Sequence, residues 1–526
     1  MVHVGSNSTH NTSPHLEFML LNLAAHQVVL VLGLLGVSTL LHLFGTRRQR
    51  VPYPPGPKGL PLIGNLLDIP TSKGWLAYMK MGKELSSDIL HFSAFGNHII
   101  VLNSLEDSVE LLEKRASIYS DRPYAPVLDL MGWTWFLPLL PYGDIWRHTR
   151  RIFHQRFRKD VAHHFQPLQL KKVKELLLSL YSSMDEPIPH FQAIGGAINM
   201  QIAYDIDIKP PNDHYYNLAE KAVAGGAEVF LPGAALMNEM PFLRYLPSWV
   251  PGIGFQKAAA VKTLTDQMRH DTYAHTRGEM AKGHYTSLLA QLLEENDAAG
   301  GSEEQEEVVK GAATSIYAAG TDTIACAVQT FFYQMALHPE IQRKAQTEID
   351  LVIGTHRLPD FNDRPSLPYT DAIYHELLRL RPIFPMNLPH ASIADDIYKG
   401  YFIPKGSMVF ANFWTITRDE NRFPDANKCL PERFLDQNGQ LKDDMTSWIY
   451  GFGRRICPGR HLASSMLWLT FASVLATFNI HKSEGDTGNE EEVEAAYSAT
   501  AISHPDFKCT LTPRSQEAIR LIHESN

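Results

Sequence analysis

Near the C-terminus the chain reads Tyr450-Gly451-Phe452-Gly453-Arg454-Arg455-Ile456-Cys457-Pro458-Gly459, and Cys457 constrains the fold more than any other residue. A lone cysteine in a glycine-punctuated loop, preceded by two arginines and followed by the apolar run Ala463 to Leu469, has the composition of a thiolate ligand site. Cations and a helix N-terminus both depress a thiol pKa, so the loop favours the anion that a metal needs. Gly453 and Gly459 let a backbone pass close to a flat cofactor and donate N–H groups toward sulfur, which is how a protein tunes a haem iron. A glycine turn around a merely buried thiol is the alternative.

Three more segments bear on the choice. Glu376 and Arg379 stand three apart in a stretch from Tyr369 that has no Gly or Pro, so they share a helical face. From about Glu303 to His338 no proline occurs, and Pro339 marks the stop, which predicts one long helix. Inside it lies Ala319-Gly320-Thr321-Asp322-Thr323, where a mid-helix glycine costs about 1 kcal/mol and adjoins an acid and an alcohol that the apolar surroundings are expected to bury. Such side chains can instead bond to the backbone one turn earlier. Trp146 and Arg150, four apart, share a face of another predicted helix.

Together these segments resemble, in order, the motifs of the cytochrome P450 superfamily. The loop matches its haem-binding signature Phe-x-x-Gly-x-Arg-x-Cys-x-Gly at Gly453, Arg455, Cys457 and Gly459, with Tyr450 where the family usually has Phe. The resemblance implies that Cys457 ligates the iron of haem b, and that Trp146, Arg150 and Arg455 hold its propionates, with His390 a further contact. It implies that Asp322 and Thr323 manage protons on the distal side, where Gly320 makes room for dioxygen. Pro431-Glu432-Arg433-Phe434 is similar to the family's partner motif, so Arg433 is expected to join Glu376 and Arg379 in one buried ionic cluster. The implied fold is mainly α with small β-sheets. The implied activity is monooxygenation of a lipophilic small molecule, since Trp133, Trp135, Phe136, Ile316 and Ile383 fall where the family lines its pocket. Other segments resemble fungal microsomal members that oxidise terpenoids and similar secondary metabolites. No Gly-x-Gly-x-x-Gly unit is evident, so electrons are expected from NADPH through a separate flavoprotein reductase. A haem-thiolate isomerase or dehydratase and a non-catalytic membrane haem carrier or sensor are the alternatives.

The N-terminus sets the expected location. Met19 to Leu23 and Val28 to Phe44 together give enough apolar length to cross a bilayer, and Arg47, Arg48 and Arg50 follow at once. Positive charge stays cytosolic, which places the N-terminus in the lumen of the endoplasmic reticulum with its acceptor sequons at Asn7 and Asn11. The expected organisation is a lumenal tail over 1–18, a transmembrane anchor over 19–44, a basic and proline-rich hinge over 45–61, and a haem-thiolate catalytic domain over 62–526. Strands are expected at His98 to Leu102 and around Tyr398 to Pro404. A net charge of -9 gives no basic footprint for nucleic acid. The four widely spaced cysteines form no disulfide framework, consistent with a reducing compartment.

Overall fold

The computed structural model describes residues 33–36, 38, 51–209, 213–229, 236–442, 446–483, 502 and 504–524. Asn7, Asn11 and most of the expected anchor lie outside them; within the anchor, 33–36 and 38 are helical. Among the described residues no helix is long and apolar enough to cross a membrane.

The described residues are mainly helical with three small sheets. Its axis is the helix Glu303–Leu337. Ser302 starts it with a reciprocal capping box with Gln305, three acidic residues in the first turn complement the helix dipole, and Pro339 opens the next helix. Its side chains from Val309 to Met335 are buried around most of the circumference, as befits a helix enclosed by others. Phe332 stacks on Phe191 at 3.7 Å, and Phe331 on Phe471 at 4.1 Å, tying the long helix to Ile188–Tyr204 on one side and Arg460–Thr477 on the other.

The crossing with Ile188–Tyr204 explains the mid-helix glycine. A Cβ on Gly320 would strike the amide of Asn199, and one on Gly195 would strike the carbonyl oxygen of Thr321. Two glycines thus let the helices approach closely, which offsets their poor helix propensity. The missing Cβ of Gly320 points at this neighbour, so helix packing accounts for the glycine and the expected space for dioxygen is not needed to explain it.

The largest sheet orders its strands Ile89–Ala94, Asn97–Leu102, Met408–Ala411 and His390–Ala391, so the predicted strand at His98 to Leu102 is central. Asp396–Tyr398 and Tyr401–Ile403 form the second expected strand region as a hairpin. Its two turn residues, Lys399 at φ 49° and Gly400 at φ 81°, give the left-handed pair that a tight hairpin requires. The proline-rich segment lies against these sheets. Pro55 O accepts from His91 N at 2.9 Å, Pro52 O accepts from Phe402 N at 2.7 Å, and Tyr53 stacks on His91 at 4.5 Å.

Candidate active site

The Cys457 loop is fixed from three sides. Its backbone N–H donates to Tyr450 O at 2.8 Å, closing the turn, and Arg460 Nη1 donates to Cys457 O at 3.0 Å. Gly453 sits at φ 52°, and a Cβ there would meet Leu112 O at 2.6 Å, so this glycine permits a close approach to the π-helical turn Glu110–Lys114. Gly459 precedes the helix Arg460–Thr477, and no atom lies within 4 Å of its absent Cβ. Burial pushes the Cys457 thiol up, opposed by the backbone N–H of Gly459, the charges of Arg150 and Arg460, and the Arg460 N–H. N–H groups do converge on this sulfur, but the cations that reach it are Arg150 and Arg460 rather than the expected Arg454 and Arg455, and burial outweighs them, so the expected lowering of the thiol pKa is not met.

Tyr450 finds the partner its extra hydroxyl needs in Tyr374, the two oxygens 2.7 Å apart. Burial pushes the Tyr450 phenol well up, with Tyr374 and Cys457 adding to it, so it stays a neutral hydrogen-bonding group.

A second constellation stands beside the loop. Trp146 and Arg150 share one face of Asp144–Phe157, and the Arg455 guanidinium lies over the Trp146 ring at 4.6 Å. Arg455 Nε donates to Ser120 O at 2.7 Å, whereas its buried Nη1 and Nη2 meet no acceptor among the described residues. Asp121, the nearest carboxylate influence on Arg455, is engaged by the backbone N–H groups of Arg122 and Tyr142 through Oδ1. His390 is buried and pairs through Nδ1 with Tyr119 O at 2.7 Å. Burial and the charges of Arg122 and Arg455 hold its pKa well below the usual range, so it is a neutral ring. Arg122 went unnoticed in the sequence. It is buried, and it donates to the carbonyls of Pro138, Leu388 and Pro389, shaping the loop that carries His390.

Buried cations without an anion are costly. Arg455 with two unpartnered nitrogens, Arg150 held below its usual pKa by burial, and a nearby thiol approached by N–H groups together fit a flat dianionic ligand whose metal takes sulfur. Haem has that chemistry.

The long helix brings Asp322 and Thr323 to different surroundings. Thr323 is half-buried and donates to Ala319 O at 2.9 Å, the local bond weighed from the sequence, which leaves its oxygen free to accept. Asp322 is not buried as expected. Its side chain is 42% exposed and pairs with His504 Nε2 at 2.8 Å. The long helix turns this residue outward, toward the C-terminal segment and Tyr216 and Glu220 of His214–Val229.

The expected ionic cluster is present in full. Glu376 and Arg379 are wholly buried and doubly bonded, Nε to Oε2 at 2.6 Å and Nη2 to Oε1 at 2.9 Å. Arg433 Nε adds a contact to Glu376 at 3.2 Å, and Leu430 N donates to it at 2.7 Å. Arg379 Nη1 donates to the carbonyls of Thr417 and Ala426. One anion and several carbonyls thus bind two cations, pinning the segment 417–433 to the helix Pro368–Leu380. Trp133 is placed as core, its Nε1 donating to Thr265 Oγ1 at 2.9 Å and its ring filling the space beside Gly226.

The chain belongs to the cytochrome P450 family, whose model matches residues 54–503. It is therefore a haem-thiolate monooxygenase, which requires a reductase partner and a small-molecule substrate. It is 39% identical over 483 residues to cytochrome P450 monooxygenase ple1 of Rhodocybe pseudopiperita, covering 90% of this chain and 92% of that one. It is 39% identical over 514 residues to cytochrome P450 monooxygenase 98 of Postia placenta, covering 95% and 98%. It is 34% identical over 505 residues to a tryptamine 4-monooxygenase of Psilocybe cyanescens, covering 94% and 99%. These full-length similarities decide between the readings left open by the residues, in favour of the monooxygenase.

Proposed function

We propose that the protein inserts one oxygen atom of O2 into a lipophilic small molecule, a secondary metabolite of the terpenoid kind, using electrons from NADPH passed by a cytochrome P450 reductase. It works at the cytosolic face of the endoplasmic reticulum membrane, held by the anchor over 19–44, with the tail carrying Asn7 and Asn11 in the lumen. The reading rests on one observation above all: backbone N–H groups and arginine charges converge on Cys457 beside a buried guanidinium whose Nη1 and Nη2 find no acceptor among the described residues.

Haem b, bound through the Cys457 thiolate, supplies oxygen activation, with the sulfur's electron density favouring O–O cleavage. Trp146, Arg150 and Arg455 bind and orient its carboxylates, and His390 lines the same side as a neutral ring. Asp322 carries protons inward, and the Thr323 oxygen accepts and directs them. Glu376, Arg379 and Arg433 keep the frame rigid. A basic cleft of about 280 Å³ between Arg150, Arg158, Lys159 and Arg460 adjoins the ligand loop and supports docking of an acidic reductase surface there.

Two experiments test this. Reduced protein under carbon monoxide should show the red-shifted Soret band of haem-thiolate, and Cys457→Ala should lose it; a variant that keeps the band has another ligand. Cells expressing the chain with a reductase should be fed terpenoids and, because of the tryptamine-oxidising relative, tryptamine. Turnover of tryptamine alone would overturn the substrate class.

A further inference from the structure

Asp322 is held by a residue from the far end of the chain. His504 Nε2 lies 2.8 Å from Asp322 Oδ1, and its Nδ1 lies 3.0 Å from Gln329 Oε1. Asp322 and Gln329 are seven residues apart on the long helix, so they share a face, and the imidazole bridges two turns of it. Gln329 is buried and cannot follow a moving ring. Three residues beyond His504, Phe507 is buried against Tyr333 of the same helix, with ring centres 5.0 Å apart. The segment entering the strand Cys509–Pro513 is thereby laid along the helix at two points.

The surroundings make such a hold necessary. Asp322 is partly exposed, and an unrestrained carboxylate there samples several rotamers. The groups facing it from the helix His214–Val229 are Glu220 and Tyr216, and Cys326 follows one turn along its own helix. Burial and the charge of Asp322 push the Glu220 carboxyl up, and burial with Glu220 and Asp322 pushes Tyr216 up to about 12. Burial and Asp322 likewise push the Cys326 thiol up. These neighbours repel or merely tolerate an anion, whereas His504 Nε2 faces it at hydrogen-bonding distance.

We propose that His504 is a positioning residue for Asp322: oriented by Gln329, it fixes the carboxylate on the edge of the long helix beside Thr323. The proposal rests on the reading of Asp322 as the acid that carries protons. A misplacement of about 1 Å in a reacting group costs on the order of a hundredfold in rate, so releasing Asp322 is a kinetic defect and not only a structural one.

The test uses full-length, haem-loaded protein with purified reductase. As the substrate is not yet identified, the rate read is substrate-free NADPH oxidation, alongside thermal melting and the carbon monoxide spectrum. Asp322→Asn should slow NADPH oxidation by roughly tenfold to a hundredfold, and His504→Leu by about tenfold. His504→Gln, which keeps an N–H donor, should recover to within about threefold of wild type. The melting shifts of Asp322→Asn and His504→Leu should fail to add in the double variant, because each removes the same contact. An unchanged rate in Asp322→Asn would sink the underlying reading of that acid. A slow Asp322→Asn with a wild-type rate in His504→Leu would overturn the His504 proposal alone. Equal defects in the Leu and Gln variants, or additive melting shifts, would also overturn it.

Discussion

Replacing Arg455 by Leu should have opposite effects on the haem-free and haem-loaded protein. Burial pushes its guanidinium down to about 10, assisted by Arg150 and opposed by Asp121. Each tenfold in the proton equilibrium is 1.36 kcal/mol, so holding this cation costs the haem-free fold about 3 kcal/mol. Its folded value lies below the unfolded one, so the penalty is present in full below about pH 10 and fades above it. Leu removes that cost and gives up the bond to Ser120 O and the stacking on Trp146, together about 2 kcal/mol. The haem-free chain should therefore melt no lower than wild type. With haem bound, Nη1 and Nη2 would each lose a charge-assisted bond to a carboxylate, and a net loss of about 3 kcal/mol is about a hundredfold in affinity. The assay is the rate of haem transfer to excess apomyoglobin. Arg454→Leu serves as control, its side chain bonded to the Tyr142 hydroxyl. Wild-type haem retention in Arg455→Leu, or a marked drop in haem-free melting, would show that the guanidinium serves the fold and not the cofactor.

Glu376→Gln should cost about 3 to 5 kcal/mol by stranding two buried arginines, which for a domain of this size lowers the melting temperature by about 3 to 5 degrees. Gly195→Ala should lower melting more than Gly320→Ala, because its methyl meets the Thr321 backbone whereas the other meets the Asn199 side chain, which can turn away; equal shifts would contradict the packing account. Tyr450→Phe should cost about 1 kcal/mol by unpairing Tyr374 and leave the carbon monoxide spectrum of the reduced protein thiolate-like.

The residues most legible in the sequence are those whose role is local. The Cys457 loop, the Glu376 and Arg379 pair, Trp146 with Arg150, and the extent of the long helix all follow from short spacings, and the structure places each on the expected element. What spacing cannot tell is which way an enclosed helix turns a given side chain. Asp322 sits among apolar neighbours in the chain yet projects to the molecular edge, because its radial direction is set by the crossing at Gly195 and Gly320. His504 and Arg122 left no signal because their meaning lies in partners distant along the chain. Gly453 signalled a close backbone approach, and the structure supplies one at Leu112 O, a neighbour that spacing alone does not name.

The docking of the proline-rich segment changes where this molecule can be cut. Pro55 and Tyr53 cover the edge strand Ile89–Ala94, Pro52 bonds the hairpin strand Tyr401–Ile403, and a Cβ on Gly56 would strike the His91 carbonyl oxygen, so the segment is seated on both sheets. A chain shortened to begin at residue 51 keeps that seal. One beginning at 62 keeps only the Asn65 bonds to Ser93 and opens the strand Ile89–Ala94 at His91 to intermolecular pairing, and should show more soluble aggregate than the longer one. Residues 52–56 therefore hold the catalytic body by its two sheets, and a tilt imposed at residue 52 is passed on to that body.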